Sequence, residues 1–161
     1  MKKEEILDEI NKTKEHLANM EKMLEKCDEM WKPEKGEMFY YLNSYNIAIS
    51  ETWDASYSDA EHYNIYNCFK TREKAEQEAE NILIRRQLED IARRLNKGKE
   101  IDWYDSEQSK YCIELYCNDI ITNFYYGHKT QGAVYCLDEN FKDIAIQEID
   151  EERLKAYLRG E

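Results

Sequence analysis

The sequence predicts an α+β fold, an N-terminal coiled-coil helix followed by two ββ(β)α units with helices packed on antiparallel sheet. Three observations carry this reading. Apolar residues recur at alternating spacings of four and three through the first thirty positions. Short apolar runs bounded by turn residues follow, each set leading into a helical pattern. The same order then recurs 66 residues later, with Phe69 falling on Tyr135, Ala75 on Phe141 and Ala79 on Ala145. The predicted organisation is therefore 1–32 as coiled-coil helix and 33–161 as a duplicated domain, with units 33–98 and 99–161.

The leading helix covers residues 3–30. Its seam comprises Ile6, Ile10, Thr13, Leu17, Met20, Leu24, Cys27 and Trp31, and the flanking positions are mostly charged or amide. A stripe this narrow suits a two-stranded coil better than a broad globular face. So polar a helix is marginal alone and needs a partner, either a second copy or the rest of the chain. The reading is a homodimer contact through Ile6, Ile10, Leu17, Met20 and Leu24.

Pro33 and Gly36 end that helix. Residues 38–42 read as a strand, 43–46 as a turn and 47–50 as the returning strand. Residues 51–64 read as a polar, aromatic loop, and 66–69 as a short strand. Thr71 is an N-cap for a helix running to about Asn96, with Gly98 as its stop. Its apolar positions are Ala75, Ala79, Ile82, Leu83, Leu88, Ile91, Ala92 and Leu95. Residues 101–104 lead into a strand at 111–116, a turn at Asn118 and Asp119, a strand at 120–126 and a third at 134–137. Asp138 can cap a helix carrying Phe141, Ile144, Ala145 and Ile149. A last helical turn begins near Asp150 and holds Leu154, Tyr157 and Leu158.

The chain has 161 residues and a formal net charge of −12. That charge disfavours direct contact with nucleic acid, whose phosphates reward Lys and Arg, and favours solubility and basic partners. With 13 tyrosines and 3 tryptophans the composition is unlike that of a disordered chain. Neither a signal-peptide pattern nor an apolar run long enough for a bilayer is expected, so the predicted location is the cytoplasm. Five cysteines, an odd number without C-x-x-C spacing, read as reduced thiols.

The residues offer little for catalysis. His16, His62 and His128 fall on a polar helix face or in polar loops. Cys68 near His62 could be drawn as a nucleophile–base pair, but Cys68 follows a strand pattern, where a buried thiol is inert packing. No Gly-rich phosphate motif, nucleophile elbow or spaced metal set is present. Asp102, Asp105 and Glu107 read as a solvated loop. The expectation is a non-enzyme without cofactor or metal.

Binding is better represented. On adjacent strand positions such as Tyr40 and Tyr41, side chains point to opposite faces, so tyrosines reach the surface unless helices cover both. Exposed Tyr suits protein contacts. The helix at 71–96 ends in a basic cluster, with Arg86 and Arg93 seven apart on one face. Either it complements the helix dipole and pairs with acids of the same chain, or it meets an acidic partner. Candidate partner contacts are accordingly Arg86, Arg93 and the acids Asp138, Glu139, Glu151 and Glu152.

Several segments together resemble a family of small phage and prophage accessory proteins of Firmicutes-type bacteria. They are Trp31-Lys32-Pro33, Gly36-Glu37 and Tyr40-Tyr41, then Trp53, 67–71 and 73–76, then 101–103, Val134-Tyr135 and 152–158. Asp150 stands where a glycine is usual and Cys136 where an aromatic is usual. The resemblance implies origin, a phage accessory gene, and not activity. Because such genes often encode small inhibitors of bacterial defence, anti-CRISPR proteins included, the expectation by analogy is a phage-encoded binding protein that inhibits a defence complex in the infected host. Alternatives are a coiled-coil adaptor, an acidic DNA mimic and a small-molecule binder using the tyrosine-rich face. The seam generates the first prediction: Leu17→Asp with Leu24→Asp should abolish self-association through residues 3–30, read by sedimentation at micromolar concentration.

Overall fold

The computed structural model describes Lys14 and residues 31–127 and 129–160. The coiled-coil seam of Ile6, Ile10, Leu17, Met20 and Leu24 lies outside the described residues, as do Cys27, His16 and His128. Among the described residues the chain is mixed α and β, with four helices and two small antiparallel sheets.

The first sheet is a hairpin of β1 (Met38–Leu42) and β2 (Ala48–Thr52), paired from Met38 with Thr52 to Leu42 with Ala48. Its five-residue loop is organised by Asn43, whose Oδ1 accepts the N–H groups of Tyr45 at 2.9 Å and Ile47 at 3.0 Å. The free edge of β1 is closed in an unusual way. Phe69 bridges Tyr40, and the Asn67 side-chain amide substitutes for a strand peptide. Its Oδ1 accepts from the Leu42 N–H and its Nδ2 donates to the Leu42 carbonyl, both at 2.7 Å. The expected strand at 66–69 is thus a single bridge, because Tyr66 has φ 60° and breaks the extended backbone.

The loop expected at 51–64 is instead partly helical, with α1 spanning Tyr57–Asn64. A reciprocal cap nucleates it. Ser56 Oγ accepts the Asp59 N–H, and the Asp59 carboxylate accepts the Ser56 N–H and, at 2.8 Å, the Asp54 N–H. This cap outweighs a sequence with weak apolar periodicity. Phe39, Trp53 and Cys68 form a small core here, joined by Trp31, Tyr41 and Tyr63. Trp53 meets Phe39 edge to face at 5.5 Å, and the Lys32 ammonium sits 5.1 Å from the Tyr63 ring.

Helix α2 (Arg72–Asn96) opens on Thr71, whose hydroxyl accepts the Lys74 N–H, and closes through Lys97 and Gly98, both at positive φ. Its buried stripe is Ala75, Ile84, Leu88, Ile91 and Ala92. At 1.5 Å per residue it is roughly 37 Å long. It contacts β1 and β2 as well as the sheet and helices of the second half.

The second sheet has the order β4-β3-β5, with β3 at Lys110–Tyr116, β4 at Asp119–Tyr125 and β5 at Tyr135–Cys136. The β3–β4 turn is Cys117 and Asn118, one residue earlier than expected. Both have positive φ, the geometry that matches the strand twist in a two-residue hairpin. In both halves the segment after the hairpin pairs on the outer edge of its first strand. Ile113, Ile120 and Cys136 face α2, α3 (Phe141–Ile149) and α4 (Glu151–Arg159), enclosing the larger core with Phe141, Ala145, Ile149 and Leu154. Asn96 ties β5 to α2, its Oδ1 accepting from the Leu137 N–H at 2.7 Å and the Cys136 thiol at 3.2 Å.

Asp138 does not cap α3 with its side chain. Its carboxylate accepts the Asn140 N–H at 2.9 Å, shaping the turn before the helix, and Asn140 takes the cap position. Between α3 and α4, Asp150 has φ 88° and ψ 138°, where an L side chain is strained. This is the position at which the resemblance marks glycine. Asp150 offsets the strain by accepting the N–H groups of Glu152 at 3.0 Å and Arg153 at 3.2 Å. Removing a cap costs about 1 kcal/mol, and a backbone well open to glycine relieves a comparable strain. Asp150→Ala, which keeps the strain and loses the cap, should therefore unfold at lower denaturant than Asp150→Gly in equilibrium urea titrations.

Candidate interaction site

The charged residues singled out from the sequence are largely engaged within the chain. Arg93 pairs with Asp90. Arg94 bridges Asp90 at 3.0 Å and Glu148 at 2.5 Å, fastening α2 to α3. These guanidiniums hold the Asp90 carboxyl below the usual carboxylate range, Arg93 foremost. Arg86 is exposed and lines a shallow cleft of about 320 Å³ with Gln87, Asp90 and Glu148. Glu151 and Glu152 both reach the nearly buried Lys155 ammonium, at 2.7 and 3.5 Å. Asp138 is turned into its own loop, where the Asn140 N–H keeps its carboxyl low. Glu139 is exposed.

These acids are not gathered into one patch. Asp138 lies near Lys97, at the C-terminal end of α2, whereas Arg153, next to Glu152, pairs with Glu80 at 2.6 Å. Helical rise from 80 to 97 separates those ends by roughly 25 Å. Within these segments Arg94 with Glu148 and Arg153 with Glu80 join different helices, whereas Arg93, Glu151 and Glu152 pair along their own.

The second sheet carries a polar cluster on the face away from α2. Glu114 accepts hydrogen bonds from the Tyr125 hydroxyl at 2.7 Å, Asn123 Nδ2 at 3.0 Å and the Cys112 thiol at 3.4 Å. Next to it the fully buried Lys110 ammonium donates to the carbonyls of Asp105 at 2.6 Å and Tyr126 at 2.8 Å. Trp103 lies against Tyr135 edge to face at 4.9 Å, with the Lys110 ammonium 5.9 Å from the indole. The loop carrying Asp102, Asp105 and Glu107 is therefore a fold-over held by Lys110.

The thiols here do not suit nucleophilic chemistry. Burial pushes Cys112 up to about 12, with the Glu114 carboxylate adding to the effect. Burial and then Asp59 push Cys68 up to about 11. Both stay protonated at neutral pH, where a nucleophilic cysteine needs thiolate. His62 is stacked on Tyr41 at 4.0 Å. Cys68, Cys112, Cys117 and Cys136 are all free. Among the described residues no group of three or more His, Cys, Asp or Glu could hold a metal ion, and no helix is long and apolar enough to cross a membrane.

One open apolar feature was not singled out from the sequence. The tip of the first hairpin folds toward the N-terminal half of α2 and leaves a groove of about 380 Å³. Tyr45, Ile47, Ala48, Ala79 and Leu83 give it an apolar lining, and Arg72, Glu76 and Glu80 a charged rim. Tyr45 is 82% exposed, Ile47 56% and Leu83 46%. The sequence pattern placed Leu83 on the buried stripe, yet successive helical residues point about 100° apart. Neither Ile82 nor Leu83 is on the buried stripe, which takes Ile84, a position the sequence pattern passed over, and Leu83 is turned out. That adjacency was the available signal.

No family model, curated protein or solved structure matches this chain.

The Glu114 cluster generates a pH prediction. Asn123 and then Tyr125 hold the Glu114 carboxyl below its ordinary value, so its contribution is present above the unfolded carboxylate range and is lost as pH falls through the lower folded value. Glu114 pushes the Tyr125 phenol up to about 12, so that contribution is present below the ordinary phenol range near 10 and is lost as pH rises toward 12. Tyr125→Phe should cost about 1–2 kcal/mol between roughly pH 5 and 10. The difference from the parent chain should shrink at both extremes, as measured by urea denaturation across pH.

Proposed function

We propose that the chain is a non-enzymatic binding protein that occupies a surface of a protein partner through the groove lined by Tyr45, Ile47 and Leu83. The observation that carries this is the groove itself. Three large apolar side chains stand open beside a rim whose charges are already paired, Arg72 with Glu76 at 2.7 Å and Glu80 with Arg153. Aromatic and aliphatic anchors inside a polar rim are what a protein contact requires. The burial that raises the pKa values of Cys68 and Cys112 weighs against turnover by those two thiols.

By analogy with phage accessory genes, the resemblance in the signature residues extends the proposal to a phage-encoded inhibitor of a bacterial defence complex, anti-CRISPR activity included, acting in the host cytoplasm, and the four–three spacing of residues 3–30 extends it to a homodimer. Of that signature, Trp53 and Cys68 lie with Phe39 in the small core on which the groove-bearing hairpin rests, and Trp31 and Tyr41 pack against it. A DNA mimic needs ordered, unpaired carboxylates in a row. The pairing of Glu148, Glu151 and Glu152 within the chain favours the apolar contact instead.

The test is capture of the target complex from host lysate, followed by titration of its activity. Ile47→Asp with Leu83→Asp should weaken binding at least tenfold, and inhibition by the parent chain should saturate near a small integer ratio. Binding should change little between about 0.1 and 0.5 M salt, where surface charge pairs are screened. Inactivation of a large molar excess of target, persisting after the chain is removed, would refute the proposal.

A further inference from the structure

The outer edge of β4 is an open strand. In the order β4-β3-β5, β3 is covered on both sides, and among the described residues no strand pairs with the far side of β4. The two-residue turn makes Tyr116 and Asp119 the closing hydrogen-bonded pair. Alternation then directs the peptide groups of Asp119, Ile121, Asn123 and Tyr125 toward β3, and those of Ile120, Thr122 and Phe124 outward. The Phe124 N–H agrees with this, since it donates to the Asn123 side-chain oxygen at 3.0 Å.

Natural edge strands are blunted by lysine, proline, bulges or brevity. β4 has seven residues, Asp-Ile-Ile-Thr-Asn-Phe-Tyr, paired with β3 in unbroken register. It holds one charge, at its first position, and no lysine or proline. At its far end Phe124 is 54% exposed and meets the Tyr126 ring edge to face at 5.7 Å. An edge this long and apolar is a pairing surface.

We infer that the β4 edge pairs antiparallel with β4 of a second copy, joining two three-stranded sheets into one of six. The strand is self-complementary about Thr122. With Thr122 facing its own copy, Ile120 stands opposite Phe124, Ile121 opposite Asn123 and Asp119 opposite Tyr125. Ile120 and Phe124 thus meet as an apolar pair, and no like charges face each other. The register uses the outward peptide groups of Thr122 in a reciprocal pair and offers the Ile120 N–H to the Phe124 carbonyl, while the Phe124 N–H exchanges its Asn123 side-chain acceptor for the Ile120 carbonyl of the second copy. With −12 on each copy, long-range repulsion opposes the contact, so self-association through this edge strengthens as salt rises.

The full chain tests this, alone and in the Leu17→Asp/Leu24→Asp background that removes the seam. Amide exchange at Ile120 and Thr122 should slow at least tenfold as concentration rises from about 1 µM to about 1 mM, and should do so in both backgrounds. Thr122→Pro removes an N–H that β3 does not use, a substitution an edge strand accepts. It should abolish the edge association seen by sedimentation, with the near-UV tryptophan signal retained. Phe124→Lys, at an exposed ring, should weaken it at least tenfold should the proline variant fail to fold. Concentration-independent exchange at both amides would overturn the inference. So would edge association unchanged in a folded Thr122→Pro, or protection of these amides by a captured partner's segment and not by a second copy.

Discussion

The buried stripe of α2 is the constraint on which the rest of the molecule depends. Ala75 lies at one end, and Ile84, Leu88, Ile91 and Ala92 occupy the C-terminal half, so one helix serves both sheets. Fully burying an Ile or Leu side chain is worth about 1.5–3 kcal/mol, and such side chains concentrate where α3 and α4 pack. The first sheet has a smaller core of Phe39, Trp53 and Cys68. It depends on rings and on the side-chain amide of Asn67 where the second sheet has a true third strand. The halves share an order of elements but are unequal in packing.

That inequality accounts for where charges went. Two helices lie against the C-terminal half of α2, and their exposed rims meet its arginines. Arg94 with Glu148 and Arg153 with Glu80 join the helices at their margins. Exposed pairs of this kind contribute little stability each, but they engage these four side chains within the chain. Beside the hairpin tip, in the N-terminal half of α2, apolar side chains remain open.

Strain and capping recur at the joints. Lys97 and Gly98 end α2, Cys117 and Asn118 turn the second hairpin, and Asp150 separates α3 from α4, all at positive φ. Asp150 is the least comfortable of these, and its carboxylate supplies the compensation. The chain has five glycines, so several left-handed positions are filled by Asn, Asp, Lys or Cys. Asn and Asp tolerate that region through local hydrogen bonds.

Much of the architecture was legible from residue spacing alone. Thr71 as cap, the end of α2 near Asn96, the strand at 38–42 and the later hairpin all follow from periodicity and turn chemistry, because those are local properties. Helix α1 was missed because its stability comes from the reciprocal Ser56 and Asp59 cap and from packing on Phe39, not from an apolar stripe. The 66–69 strand was over-read because Tyr66 turns the backbone, which periodicity does not register. The groove of Tyr45, Ile47 and Leu83, and the pairing of Arg94 with Glu148 and of Arg153 with Glu80, were decided by tertiary structure, whereas Arg93, Glu151 and Glu152 pair three or four residues along their own helices. Sequence spacing specifies which side chains share a face of one element. Whether that face is covered depends on residues distant in the chain, brought there by packing.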